Sequence, residues 1–232
     1  IRYDASAGQD GSFTGANARD VKSGKLQDTW SKKARFSLKT WTGQETELGT
    51  LKTYTETRFN FGNKNNYHGP GDYADNYAFN KGITLNFAWI QLGGLRVGKD
   101  ESAYDTFTGY AGNVIQDTLV PYGGFDTNLI SYTFDAGNGF SAIVSLEQGS
   151  GKFSTTGPRV GDTWTVDNNT IDSYVPHVVG GLKYTAGWGG VSGVVAYNSA
   201  YEEWAGKVRL DVNATDQISL FVMAGYGSDD NI

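Results

Sequence analysis

The sequence predicts an all-β fold, a transmembrane antiparallel up-and-down β-barrel. Three observations predict it. Apolar and polar side chains alternate along segments of about eight to twelve residues. The connections between those segments are long and short in turn, and aromatic residues gather at the segment ends. Period-two alternation marks a strand whose two faces meet different surroundings.

The strands follow in order. Ile1–Ser6 reads as the tail of a first strand, with Arg2 and Asp4 on one face. Ala34–Trp41 sets Ala34, Phe36, Leu38 and Thr40 against Arg35, Ser37 and Lys39. Thr50–Phe61 sets Leu51, Phe59, Phe61 and a row of threonines against Lys52, Tyr54, Glu56, Arg58 and Asn60. Gly82–Leu92 opposes Ile83, Leu85, Phe87 and Trp89 to Thr84, Asn86 and Ala88, and the short Leu95–Lys99 opposes Arg96 to Leu95 and Val97. Asn128–Phe134, Phe140–Gln148 and Val178–Ala186 continue the pattern. Val191–Asn198 is apolar on both faces, so its orientation is open. Trp204–Asn213 is the cleanest, with Trp204, Val208, Leu210 and Val212 opposite Ala205, Lys207, Arg209 and Asp211. Ile218–Tyr226 closes the series. On shared parity, Phe36, Leu38, Phe59, Leu85, Phe87, Val208, Leu210 and Val222 are expected to face lipid, and neighbours in sequence to pair antiparallel.

The connections are 7–33 long, 42–49 short, 62–81 long, 93–94 short, 100–126 long, 135–139 short, 149–176 long, 187–190 short and 214–217 short; only a short loop near 199–203 departs from alternation. Barrels of the outer membrane sort tight turns to one side and long loops to the other. Glycine, asparagine and aspartate fill the short turns, as hairpins require. Trp41, Phe61, Trp89, Phe134, Phe140, Tyr184, Trp188, Trp204 and Tyr226 lie where interface girdles belong.

Composition agrees. There are 32 glycines, 4 prolines and no cysteine, which excludes a disulfide framework and any thiolate chemistry. Mean hydropathy is −0.43. No run approaches the roughly 18 apolar residues of a helical span, but a barrel strand shows lipid only every second residue. Nineteen basic residues stand against 25 acidic ones without a basic block, so no nucleic-acid partner is expected. The chain starts within a strand pattern, so any export signal is expected to be absent from it. About eleven strands is an odd number, and bacterial single-chain barrels close on an even one, so further strands are expected.

Gly93–Lys99 fits the spacing of a phosphate-binding loop, but Asp100 stands where serine or threonine is needed and no helix pattern follows. The two histidines, His68 and His177, form no triad context: His68 reads as a loop residue and His177 as lying near a strand's outer end. No catalytic set, metal site or cofactor is expected.

Several stretches resemble the general porins of alphaproteobacteria, of the Rhizobiales type: Glu45-Thr-Glu-Leu-Gly-Thr-Leu-Lys52, Gln91-Leu-Gly-Gly-Leu-Arg-Val-Gly98, Asp105-Thr-Phe-Thr-Gly-Tyr110, Gly137-Asn-Gly-Phe-Ser-Ala142, Val178-Val-Gly-Gly-Leu-Lys-Tyr184 and Glu202-Glu-Trp-Ala205. The resemblance spans nearly the whole chain. It implies an outer-membrane barrel of about sixteen strands, assembled as a homotrimer among lipid and lipopolysaccharide, with the third extracellular loop folded into the lumen. Residues 1–232 then form one porin barrel domain whose last strands lie outside the sequence.

On that reading, 100–126 is the constriction loop: it is too long for a simple hairpin and carries apolar anchors in Phe107, Tyr110, Val114, Ile115 and Leu119. Its acids Asp100, Glu101, Asp105 and Asp117 would face the inward bases Arg2, Arg35, Lys39, Lys52, Arg58, Arg96, Lys183, Lys207 and Arg209, with Arg35 and Arg58 as the expected partners. Acid opposite base across a narrow aqueous gap makes a transverse field that orients polar solutes. The function expected is passive diffusion of small hydrophilic solutes and ions. The alternative is a barrel whose long loops serve as an adhesin or phage receptor.

Overall fold

The computed structural model describes residues 1–6, 16–29, 31–62, 79–110, 126–149, 171 and 173–228. Its strands are β1 (Arg2–Ser6), β2 (Ala16–Arg19), β3 (Leu26–Thr29), β4 (Ser31–Thr46), β5 (Gly49–Gly62), β6 (Phe79–Leu92), β7 (Leu95–Glu101), β8 (Asp126–Asp135), β9 (Phe140–Glu147), β10 (His177–Ala186), β11 (Gly189–Asn198), β12 (Glu203–Thr215) and β13 (Ile218–Gly227), with one short helix, α1 (Ala103–Thr106). Eleven strands form one sheet in the order β1-β4-β5-β6-β7-β8-β9-β10-β11-β12-β13, and β2 pairs with β3 alone. From β6 onward each strand pairs antiparallel with its successor in sequence, as the short turns demand. Two details differ from the sequence reading. The 7–33 connection holds a hairpin, closed where Asp20 Oδ1 accepts from the backbone N–H groups of Lys22 and Ser23 at 3.1 and 2.7 Å. The strand begun at Ala34 is longer, so the short connection beyond it shrinks to 47–48.

The chain packs as two units. The first comprises Ile1–Thr40 with Thr55–Asn86, the second Trp41–Tyr54 with Phe87–Ile232. In the first, Phe36 and Phe59 meet on the apolar face, their rings 5.7 Å apart, and Thr40 and Thr55 share a hydrogen bond beside them.

The second unit has an inverted distribution of polarity. Along β8, Thr127, Leu129 and Ser131 are buried while Ile130, Tyr132 and Phe134 are exposed. In β9, Ser145 and Glu147 are buried and Val144 and Leu146 exposed. In β12, Lys207 is buried while Val208 is 58% exposed. Water would drive the reverse arrangement, so the exposed apolar face is built for hydrocarbon. β11, open in the sequence, is oriented by its register: Gly193 opposes Leu182 and Val208, which puts Val191, Val195 and Tyr197 on the exposed apolar face and Ser192 and Val194 on the buried one.

Phe36, Leu38, Phe59, Val208, Leu210 and Val222 are all exposed on the apolar face, as expected. Leu85 and Phe87 are not on it. The two-residue Gly93-Gly94 turn sets Gln91 opposite Arg96 and Trp89 opposite Gly98, so Trp89 and Phe87 share a face with Arg96. The Arg96 guanidinium lies 4.1 Å from the centre of the Trp89 ring, and Tyr54 packs 5.6 Å from both Phe87 and Trp89. Strand alternation carries Leu85 to that face too. Thr84 and Asn86, joined by a 3.0 Å hydrogen bond, take the other.

Candidate functional site

The segment that leaves β7 lies on the charged face of the second unit, fixed by contacts along its length. Ser102 caps α1, its hydroxyl accepting from the Tyr104 N–H at 3.1 Å. That hydroxyl also donates to Glu147 Oε2 at 2.6 Å, and the Ala103 N–H donates to Glu147 Oε1 at 2.8 Å. A carboxylate at a helix start satisfies donors that the helix leaves open. Lys207 Nζ meets Asp105 Oδ1 at 3.1 Å, and the ammonium stands 4.2 Å from the Tyr104 ring centre. Arg209 donates to the Tyr110 carbonyl at 2.6 Å. Phe107 is buried over Gly181, where an added Cβ would come within 2.7 Å of the ring, and Lys183 Nζ lies 4.6 Å from its centre.

A small apolar core forms beneath. Ala103, Phe107, Leu129, Val179 and Val194 are the buried hydrophobic residues described. Of the anchors expected from sequence, Phe107 serves as one. Tyr110 is exposed and is held by its polar groups, its hydroxyl donating to Glu101. Val114, Ile115, Leu119 and Asp117 lie outside the described residues, as does His68. Burial first, and then Asp105, pushes the Tyr104 phenol up to about 12. Burial and the bond to Glu101 raise Tyr110 as well, so both rings are neutral in ordinary conditions.

The remaining site residues fall into smaller groups. In the first unit, Glu56 is buried and gathers Lys39 at 3.2 Å and Arg58 at 2.5 Å, while Arg35 Nε donates to Asn60 at 2.9 Å. Among the described residues, Lys207 and Arg209 are bases that meet the segment, while Arg35 and Arg58 meet Asn60 and Glu56 within the first unit. Glu56 stands two residues from Arg58 on the same face of β5, and Asn60 of β5 reaches across to Arg35 of β4. In the second unit, Arg96 bridges Asp100 and Gln91, Arg209 chelates Asp211, and Lys52 is exposed. A cavity of about 370 Å³ lies against α1, lined among others by Arg96, Asp100, Phe107, Asp135 and Lys183.

The sequence reading set Glu56 and Asp211 on the faces of the bases but counted neither of them, nor Glu147, among the site residues. Glu56, Glu147 and Asp211 share faces with the bases, so the wall is not basic alone. Parity places all three there, since Glu147 alternates with Leu146 as Lys207 does with Val208. His177 opens β10, at the end that follows the long 149–176 connection, and its Nδ1 accepts from the Ser199 N–H at 3.0 Å. Gly93–Lys99 is a hairpin turn and a strand, with Gly93 at φ +56°, and has no phosphate-binding helix.

Comparison with known proteins agrees with this architecture. A family model described as a porin subfamily matches residues 1–232. The chain is 50% identical over 228 residues to the porin Omp2b of Brucella suis biovar 1 (strain 1330), covering 98% of this chain and 58% of that protein. The same figures hold for porin Omp2b of Brucella abortus (strain 2308) and of Brucella melitensis biotype 1. The chain therefore spans somewhat over half the length of these relatives. No solved structure matches it. With a match along its whole length and half of its residues shared with these porins, the chain belongs to the porin subfamily.

Proposed function

We propose that the protein forms a water-filled channel in the outer membrane, through which small hydrophilic solutes and ions diffuse passively. The observation that carries this reading is the 102–110 segment, laid on the charged face of a sheet whose other face is apolar and exposed. A polypeptide laid on a polar wall narrows the aqueous space beside that wall, and a barrel of about sixteen strands needs such narrowing to discriminate solutes. In this reading 1–232 belongs to a single barrel domain and 100–126 is its constriction loop. Asp100, Glu101 and Asp117 carry negative charge into the lumen, opposite Arg35, Lys39, Lys52, Arg58, Arg96, Lys183 and Arg209. Pairing within the wall, as in Lys39 with Glu56, leaves a modest transverse field. Membership of the porin subfamily supports a channel over catalysis, and the protein assembles as a homotrimer among lipid and lipopolysaccharide.

The test is current through planar bilayers that hold the full-length protein. The expected result is a large ohmic conductance that closes stepwise, one step per protomer. Neutralising Glu101 and Asp117 together (Glu101→Gln, Asp117→Asn) lowers cation preference under a salt gradient. A purified, correctly inserted protein that carries no current ends the proposal.

A further inference from the structure

We propose that Asp105 and Lys207 form a charge-cancelled pin, which positions the constricting segment against β12 and takes no part in selecting ions. The inference rests on the channel reading and deepens it. The two groups are 102 residues apart in sequence and meet at 3.1 Å, with side chains 0% and 1% exposed. They lie on the charged face, where Asp211, four residues along β12 from Lys207, keeps 42% of its side chain exposed. The Tyr104 ring packs against the Lys207 ammonium at 4.2 Å. On one side Glu147 holds Ser102 and Ala103, and on the other Arg209 holds the Tyr110 carbonyl.

The physical argument has two steps. A paired plus and minus at contact distance present a small dipole to a passing ion, and neither group touches water. The field that selects ions therefore comes from the charges left exposed. Removing one partner leaves the other charged and out of water, which is far less favourable than the intact pair. The segment must then leave the wall so that the orphaned charge can be hydrated. Lys207 is in this sense a positioning residue, acting through Asp105.

Residues 1–232 contain no cysteine, and any cysteine elsewhere in the full-length protein is replaced by serine, so an introduced one reports cleanly. Thr108 is 5% exposed and lies within the pinned segment. The experiment introduces Thr108→Cys into the full-length protein and measures its modification by a small charged maleimide, alongside the reversal potential under a salt gradient. The parent should label slowly. Lys207→Gln or Asp105→Asn should raise the rate by about tenfold or more, because a half-broken buried pair opens the segment. Either change should also shift the reversal potential, as the exposed orphan joins the field. The exchanged pair, Asp105→Lys with Lys207→Asp, should restore slow labelling and the parent's reversal potential.

Parent-like labelling in both single variants would overturn the pin. So would an exchanged pair that labels slowly yet moves the reversal potential, because the two groups would then be selecting ions where they stand. The labelling needs no current. A protein that shows the labelling pattern and carries no current loses the channel reading and keeps the pin.

Discussion

Gly181 shows how a single residue positions the site. It lies on β10 beneath Phe107, and a Cβ there would come within 2.7 Å of the Phe107 ring and 2.9 Å of a Val194 methyl. Both neighbours are buried, so neither swings clear without loss. Gly181→Val should lift Phe107 out of its notch, at a cost of about 1–3 kcal/mol from overpacking. Limited proteolysis of the folded protein within 102–110 should speed up while the barrel resists as before. An unchanged cleavage pattern would show that Phe107 is not what holds the segment. The sequence displayed Lys207 and Arg209 as inward bases through strand parity, and Phe107 as an anchor because it is apolar within a long loop. Arg58 meets Glu56 two residues along the same face of β5, which alternation does display, whereas Lys207 meets Asp105 because of the loop path, which no single strand records.

At the scale of elements, β6 and β11 show where reading by hydropathy works and where it stops. Most strands here have one apolar face and one polar face, and parity assigned those correctly. β11 is apolar on both because Val194 packs in the small core under α1, while Val191 and Val195 face outward. Its orientation follows from its register with β10 and β12, which no pattern within the strand records. β6 misleads for a related reason. Phe87 and Trp89 look like a lipid face, yet they pack with Tyr54 and Arg96 on the charged side. The turn at 93–94 decides this, since a register moved by one residue inverts every side chain. A direct check follows from single-tryptophan variants in bilayers. Trp204, half exposed on the apolar face and packed on Tyr226, should be quenched by brominated acyl chains. Trp89 should be shielded from brominated lipid and respond to aqueous iodide or acrylamide. Strong lipid quenching of Trp89 would restore the hydropathy assignment and refute this register.

For the whole molecule, the balance of charge bears on how strongly a channel could discriminate. The chain carries a net charge of −6, yet most of the site bases described have an acid within salt-bridge distance: Lys39 and Arg58 with Glu56, Arg96 with Asp100, Lys207 with Asp105, Arg209 with Asp211. Selection then rests on a few hydrated charges, each worth about 1 kcal/mol at contact distance in water. Such charges act over a Debye length, about 10 Å at 0.1 M salt and about 3 Å at 1 M. A lumen wider than the shorter of these lengths loses contact between its wall and an ion at its centre as salt rises. Ion preference measured by reversal potential should therefore be modest at 0.1 M and nearly vanish at 1 M, while conductance keeps rising with bulk conductivity. Substituting Lys183, which stands over Phe107 beside the cavity under α1, should change the low-salt preference toward cations and leave the high-salt value alone. A preference that persists undiminished at 1 M would require a binding site that strips water from the ion, and a wall of hydrated, pairwise-balanced charges does not provide one.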